Sequence, residues 1–268
     1  TFNRIIQPVM MDAAIGKVED SKIERLRGEG VALAARLGLE RQMVTALATF
    51  YTVGDDKRYV VRPFYQLLAR SATSANVILD PFAETYHLGS VFSLNAPRLL
   101  ADYADTSTAQ SRALRDKVVT GSEMTAILLS IGSWKATQEH IADALDAAQN
   151  SSGTPESYAL LAEPVSELAE HQDAASRIFS RNSMEQLAGA LAAAEEFSGL
   201  SGHIVGDIDR MWSDTATKFE ALLTSRLDMM RFRLGLMLAI AAAACLVGVG
   251  SAAILFRSTL KQLDTVEL

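Results

Sequence analysis

Residues 234–256 (LGLMLAIAAAACLVGVGSAAILF) form a run of 23 residues without a charged side chain. Arginines flank the run, with Arg231 and Arg233 before it and Arg257 after it. A helix of this length rises about 35 Å, enough to cross a hydrocarbon core about 30 Å thick with some tilt. The run has no polar face with which it could lie on a soluble domain. It therefore predicts a transmembrane helix, and the alternative is a fully buried central helix.

The composition of the remaining chain predicts helices. Hydrophobic residues make up 49% of the sequence, and only 6 of its 268 residues are proline. Alanine and leucine recur throughout, which favours helix over strand, and apolar residues step by three and four along several segments. We predict an all-α fold: an elongated antiparallel helical bundle, of four helices or of two stacked bundles, that continues into a single transmembrane helix.

Turn and cap signals predict several helix boundaries. Asp80 and Pro81 have the residue types of an N-cap and a first helical position, so a helix is expected to begin there. The polar residues 105–108 are expected to end it in a turn. One helix of about forty residues is then expected over 109–150, with Gly121 and Gly132 as weak points. No proline occurs after residue 164, so we expect one continuous helix through the uncharged run.

Charge and motif content argue against several functions. The net charge is −7 with acids and bases interspersed, which argues against a nucleic-acid partner because phosphate contacts need a basic excess. We find no phosphate loop, dinucleotide fingerprint or nucleophile elbow, and predict no catalytic residue and no cofactor. Cys245 is the single cysteine and lies in the uncharged run. No histidines form an H-x-x-x-H pair, so no metal site is predicted; the alternative is one assembled from distant helices.

Residues 74–88 (SANVILDPFAETYHL) resemble a motif of the helical extracytoplasmic sensor regions of bacterial transmembrane receptors, chiefly methyl-accepting chemotaxis proteins. In that family the motif reads approximately S-N-L-I-L-D-P-x-x-x-S-Y-Y-L. His87 stands where the second aromatic residue usually is. The matching positions are Asn76, Ile78, Leu79, Asp80, Pro81, Tyr86 and Leu88.

Residues 222–234 (LLTSRLDMMRFRL) are similar to a second motif of the same family, L-L-x-x-R-I-x-x-x-R-x-x-L. Arg226 and Arg231 occupy its basic positions, and the resemblance implies a role for both in signal transmission. Residues 258–266 look only distantly like the start of a HAMP connector, because Gln262 replaces the usual proline.

The resemblance implies three segments: a sensor domain over 1–230, a transmembrane helix over 231–257, and the start of a cytoplasmic connector, HAMP-like or another linker, over 258–268. It implies a protein of the bacterial inner membrane whose large N-terminal region is periplasmic or extracellular. The flanking charges do not by themselves fix this orientation. Because residue 1 is threonine and no signal peptide is visible, an earlier membrane helix is expected.

The function implied by the resemblance is transmembrane signal sensing, without enzymatic activity in this portion. The domain would detect a small molecule or a periplasmic binding protein and pass a helix movement to a cytoplasmic module. A homodimer is expected, because such helices signal by changing their packing against a partner copy. The output stays open between chemotaxis, histidine kinase and cyclic-dinucleotide signalling. The alternative is a membrane-anchored interaction or scaffold protein that senses no ligand.

The candidate ligand residues lie in or around the first motif. Arginines can bind a carboxylate or an oxyanion through bidentate hydrogen bonds. Alternative structural roles are an N-cap for the aspartate, a packed ring for the tyrosine and exposed helix positions for the arginines. The candidates are Arg62, Arg70, Asn76, Asp80, Tyr86 and Arg98.

Overall fold

The computed structural model describes residues 2–54, 56–74, 82–116, 120–152, 158–181 and 187–264. All regular secondary structure in these ranges is helical, which confirms the predicted all-α class. The chain packs as two units, Thr1–Phe219 and Glu220–Leu268. The α-helices are α1 (Phe2–Ala14), α2 (Asp20–Arg25), α3 (Val31–Arg36), α4 (Glu40–Thr52), α5 (Val61–Ser74), α6 (Ala83–Ser90), α7 (Ala96–Asp116), α8 (Gly121–Asn150), α9 (Ala159–Arg181) and α10 (Leu187–Asp264).

Among the described residues, short segments of other helix types connect some of these helices. A π-helical segment, Leu26–Gly30, joins α2 to α3, and a second, Val91–Asn95, joins α6 to α7. A 3-10 turn, Lys57–Val60, precedes α5. Gly16 ends α1 with φ +80°, a left-handed conformation that glycine adopts without the steric cost other residues meet.

Large aromatic side chains form the centre of the first unit. The ring of Tyr103 on α7 lies 6.1 Å from that of Trp134 on α8 and 6.2 Å from that of Phe197 on α10, measured between ring centroids. All three side chains, together with Trp212 on α10, are fully buried. Aromatic groups of this size contribute much of the apolar area that a helical core buries. The cluster therefore holds α7, α8 and the first part of α10 together.

The turn predicted at residues 105–108 is wrong, because α7 continues through this segment to Asp116. Its polar groups are satisfied without leaving the helix. The Thr106 hydroxyl donates to the Asp102 carbonyl oxygen at 3.0 Å, and Arg58 donates to the Ser107 carbonyl oxygen at 3.2 Å. Polar side chains that would end a helix in water are buried here against other segments.

The single helix predicted over 109–150 is also wrong, because α7 ends at Asp116 and α8 begins at Gly121. A capping box starts α8: the Thr120 hydroxyl accepts from the Glu123 N–H at 3.2 Å, and the Glu123 carboxylate accepts from the Thr120 N–H at 2.8 Å. The pKa of Glu123 is lowered because its carboxylate accepts hydrogen bonds, chiefly from the Thr120 backbone N–H and also from the Thr120 hydroxyl. The chain therefore breaks next to Gly121, one of the two positions predicted to be weak, whereas the other, Gly132, lies inside α8.

The predicted N-cap at Asp80 and Pro81 lies outside the described residues. Helix α6 begins at Ala83, with Phe82 in the position before it.

Helix α10 carries the uncharged run and is continuous over 78 residues, as predicted. Every side chain from 234 to 256 is exposed, with Leu246 at 74% and Phe256 at 68%. The alternative of a central helix buried within this chain is therefore removed. Among the described residues, this is the one helix that is long and apolar enough to cross a membrane by length and composition.

Candidate functional site

Three of the six predicted ligand residues come from the first motif, and Tyr86 is the one among them that the structure describes. Asn76 and Asp80 lie outside the described residues. Tyr86 is 41% exposed on α6, and its ring packs edge-on against His87 with the ring centroids 5.1 Å apart. The three arginines do line pockets, but they are divided between two.

Arg62 and Arg98 line a pocket of about 410 Å³ formed by α5, α7 and α8. Arg62 is already neutralised there: its Nη2 donates to Asp102 at 2.8 Å and its Nε donates to Asp105 at 2.7 Å. Burial by itself lowers the pKa of Arg62, but the two carboxylates outweigh this effect and raise it. The guanidinium therefore stays charged and is held by acids of α7.

Asp102 is the centre of this network and is only 4% exposed. Besides Arg62, it accepts from the hydroxyls of Ser133 at 3.0 Å and Thr137 at 3.2 Å. The Nε of Arg98 lies 3.8 Å from the same carboxylate. A buried carboxylate needs such partners, because an unpaired charge is strongly unfavourable away from water. The network therefore has a clear structural role in joining α5, α7 and α8.

An anion would bind poorly beside Arg62 and Arg98, because two arginines there face two aspartates. It would have to displace Asp102 or Asp105 from a guanidinium that already has its partners. The two predicted residues are thus close together, as expected for a site, but their charge is used within the fold.

Arg70 lies in a different pocket, of about 260 Å³ between α4 and α5, and there it is accompanied by Arg41. No acidic side chain of the described residues lines this pocket. Neither arginine takes part in any ion pair within the described ranges. Both are exposed, as are Thr45 and Gln66, whereas Ala46 and Leu67 are buried. The rest of the lining is uncharged: Gln42, Thr45, Ala46, Pro63, Gln66 and Leu67.

This arrangement has the donors that a small oxyanion requires. Two guanidinium groups provide bidentate hydrogen bonds and positive charge. The amides of Gln42 and Gln66 add uncharged donors at the same pocket. Because the protein carries a net charge of −7, a pocket that has two arginines and lacks an acid stands out from its surface. We call this pair of residues the Arg41–Arg70 site.

Comparison with protein-family models, with curated proteins and with solved structures finds no match for this chain. The expectation that the chain belongs with the bacterial receptors therefore rests on the two motifs quoted above.

Sequence reasoning found Arg70 because it lies near the first motif, but it missed Arg41. Arg41 lies on α4 and Arg70 on the next long helix, α5. Neither of the two motifs quoted above includes Arg41. In the second unit, Arg226 is half-buried and Arg231 is exposed, with its guanidinium 3.6 Å from the Asp228 carboxylate. The role of both arginines in signal transmission stays a prediction.

Proposed function

We propose that this chain is the signal-sensing portion of a bacterial transmembrane receptor. Its helical first unit lies outside the cytoplasm and binds a small molecule, and α10 carries the response through the inner membrane to a cytoplasmic signalling module. The observation that carries the proposal is the composition of α10. One continuous helix contains both core residues, such as Trp212, and the exposed uncharged run at 234–256.

The bundle we propose is antiparallel, and contacts between α8 and α9 support this arrangement. Gln138 of α8 donates to the carbonyl oxygen of Val165 on α9, and the pocket beside this hydrogen bond extends to Gln149 of α8 and to Tyr158, the residue before α9. Such contacts are expected when residue numbers rise along α8 as they fall along α9. Four helices or two stacked bundles both accommodate such a pair.

The ligand we propose is a small organic or inorganic anion bound at the Arg41–Arg70 site. A ligand shifts the equilibrium between two arrangements of a protein only by as much as it prefers one of them. An anion shared by Arg41 on α4 and Arg70 on α5 would favour the arrangement that keeps the two helices together. Such a preference is what a sensor needs in order to move a helix.

The ligand proposal can be tested by thermal unfolding of the full chain in lipid nanodiscs. Trp134 and Trp212 are both fully buried in the first unit, so their fluorescence reports its unfolding. Succinate, citrate and phosphate would be compared with chloride at equal ionic strength. Since a ligand at 100 times its Kd stabilises the native state by about 2.7 kcal/mol, a bound anion raises the Tm measurably.

Matched variants assign the shift to the site. Arg41→Gln and Arg70→Gln should each abolish it, whereas Arg36→Gln, which removes an exposed arginine outside the pocket, should preserve it. If none of the anions raises the Tm, or if Arg70→Gln responds as the unmodified chain does, the Arg41–Arg70 site is not the sensor site.

The proposed homodimer is tested by disulfide cross-linking of single cysteines over residues 222–233 in a Cys245→Ala background. Cross-links should recur every three or four residues, as expected for one helix face against its copy. A scan without any dimer band, with and without anions, would contradict signalling through paired helices.

The alternative function is a membrane-anchored interaction protein. Apolar side chains exposed on the first unit favour it, because a protein partner would cover them. Leu129 of α8 is 70% exposed and Leu160 of α9 is 73% exposed. This function predicts that no small molecule raises the Tm in the experiment above.

A further inference from the structure

A second pocket of the first unit, with a volume of about 430 Å³, lies between α8 and α9. This falls within the range of roughly 300–1,000 Å³ that is usual for small-molecule sites. Small and apolar side chains from both helices make up most of its lining, among them Ala142, Leu145, Ala162, Val165 and Ala169. Because three of these are alanines, the two helices leave a space that larger side chains would have filled.

The charges at this pocket have a single sign. Glu139 and Asp146 line it, both are exposed, and no basic side chain of the described residues does so. They lie seven positions apart on α8, which is two turns along one face of the helix. The Asn150 amide donates to Asp146 at 3.1 Å and leaves its charge uncompensated. The opening of the pocket therefore favours a cation.

One wall of the pocket is held in place from outside. Tyr158 is 2% exposed, and its hydroxyl donates to the Glu84 carboxylate on α6 at 2.7 Å. Lys218 of α10 has its ammonium 4.9 Å from the centre of the Tyr158 ring, but it does not line the pocket. The ring is therefore held as a fixed apolar surface of the pocket.

Gln138 provides an unused acceptor at the same pocket. The side chain is 7% exposed, and its amide nitrogen donates to the Val165 carbonyl oxygen at 3.3 Å. Its amide oxygen is buried and accepts from no donor among the described residues. A buried acceptor without a partner is unfavourable. A small rotation about the last torsion of Gln138, which is a soft one, would offer this oxygen to an N–H group in the pocket.

We propose that this pocket binds a small primary amine with an apolar, ring-sized body. The ammonium group lies between Glu139 and Asp146, and the body lies over the alanines and beside Tyr158. A donor on the body pairs with the Gln138 amide oxygen. The site is separate from the Arg41–Arg70 site and does not rest on the sensor function proposed above.

The test is isothermal titration calorimetry of the full chain in nanodiscs, with the heat of titrating empty nanodiscs subtracted. The probes are tryptamine, a cation with an indole N–H, and indole-3-propionate, an anion of similar size. We expect tryptamine to bind at least ten times more tightly than indole-3-propionate. Ala142→Phe fills the pocket and should raise the Kd of tryptamine at least tenfold.

Two substitutions outside the pocket are the matched controls. Ala136→Phe, at another exposed alanine of α8, should change the Kd less than twofold, and Glu163→Gln should do the same. Glu139→Gln, in contrast, should raise it about threefold to tenfold, because it removes one of the two carboxylates at the ammonium position.

Three results would overturn the proposal. The first is tryptamine giving no heat beyond that of empty nanodiscs, and the second is indole-3-propionate binding as tightly as tryptamine. The third is a change of oligomeric state in Ala142→Phe without a change in tryptamine affinity. That result would make the pocket between α8 and α9 a contact with another protein chain.

Discussion

Replacing Asp102 by asparagine removes the buried charge that α5, α7 and α8 share, and it should destabilise the first unit by about 2–3 kcal/mol. Breaking a buried ion pair by removing one partner costs roughly 3–5 kcal/mol. The lower figure applies because the Arg62 side chain is 39% exposed and keeps Asp105 as a second partner. The amide of asparagine also retains one acceptor for Ser133 or Thr137.

Asp105→Asn is the matched control, because Asp105 binds the same arginine but its side chain is 44% exposed. An exposed pair is worth about 0–1 kcal/mol. The assay is urea unfolding of the full chain in nanodiscs, followed by the fluorescence of Trp134 and Trp212. With a slope of about 3 kcal/mol/M, Asp102→Asn should lower the midpoint by about 0.7–1 M and Asp105→Asn by less than about 0.3 M.

Two results would refute this reasoning. If the urea midpoint of Asp102→Asn lies within about 0.3 M of that of the unmodified chain, the network around Asp102 contributes little to stability. Its residues would then be better explained as a ligand-binding site. If both variants lose the same stability, burial does not set the strength of these pairs.

Two further predictions concern the first unit. Burial raises the pKa of Tyr103, although hydrogen bonds to Ser201 and Ser107 oppose the shift. Because the folded state holds the Tyr103 proton more tightly than the unfolded state does, the contribution of Tyr103 to stability is complete below about pH 10. It is lost as the pH rises further. Tyr103→Phe should remove this loss of stability at alkaline pH, at a cost of about 1 kcal/mol. The free energy of unfolding is measured at pH 8 and pH 11, and an equal decline in the variant and the unmodified chain would contradict the prediction. Gly16→Ala should destabilise the first unit by about 1–2 kcal/mol, because φ is +80° at this position. Gly28 lies in a helical segment where an added Cβ meets open space, so Gly28→Ala should be neutral or stabilising by up to about 1 kcal/mol. Urea midpoints that move in the same direction for both variants would refute the backbone explanation.

The all-α class and the continuous α10 follow from local properties and were predictable from the sequence. Helix preference, apolar spacing and the absence of proline each act within a few turns of chain. The same is true of the uncharged run at 234–256, whose length and composition make it long and apolar enough for a membrane whatever the other helices do. Gly121 was likewise a local signal, and α8 begins there, but the same signal at Gly132 does not interrupt α8.

The path of α7 depended on contacts that no local pattern contains. Residues 105–108 have the composition of a turn, yet they stay helical because Arg58 and other groups outside the helix satisfy them. A polar segment ends a helix only when water is its best partner. Once a folded neighbour offers better hydrogen bonds, the same residues lie inside the helix.

The candidate site shows the same division between sequence and fold. Proximity to a motif selected Arg62, Arg70 and Arg98 alike, and only the packed chain separates them. Asp102 neutralises Arg62 and lies near Arg98, whereas Arg70 is brought to Arg41, a residue of another helix. Charge is a property of the residue and can be read from the sequence. Whether that charge is already compensated depends on which carboxylates the fold brings within a few ångströms, because Coulomb energy depends on distance and burial.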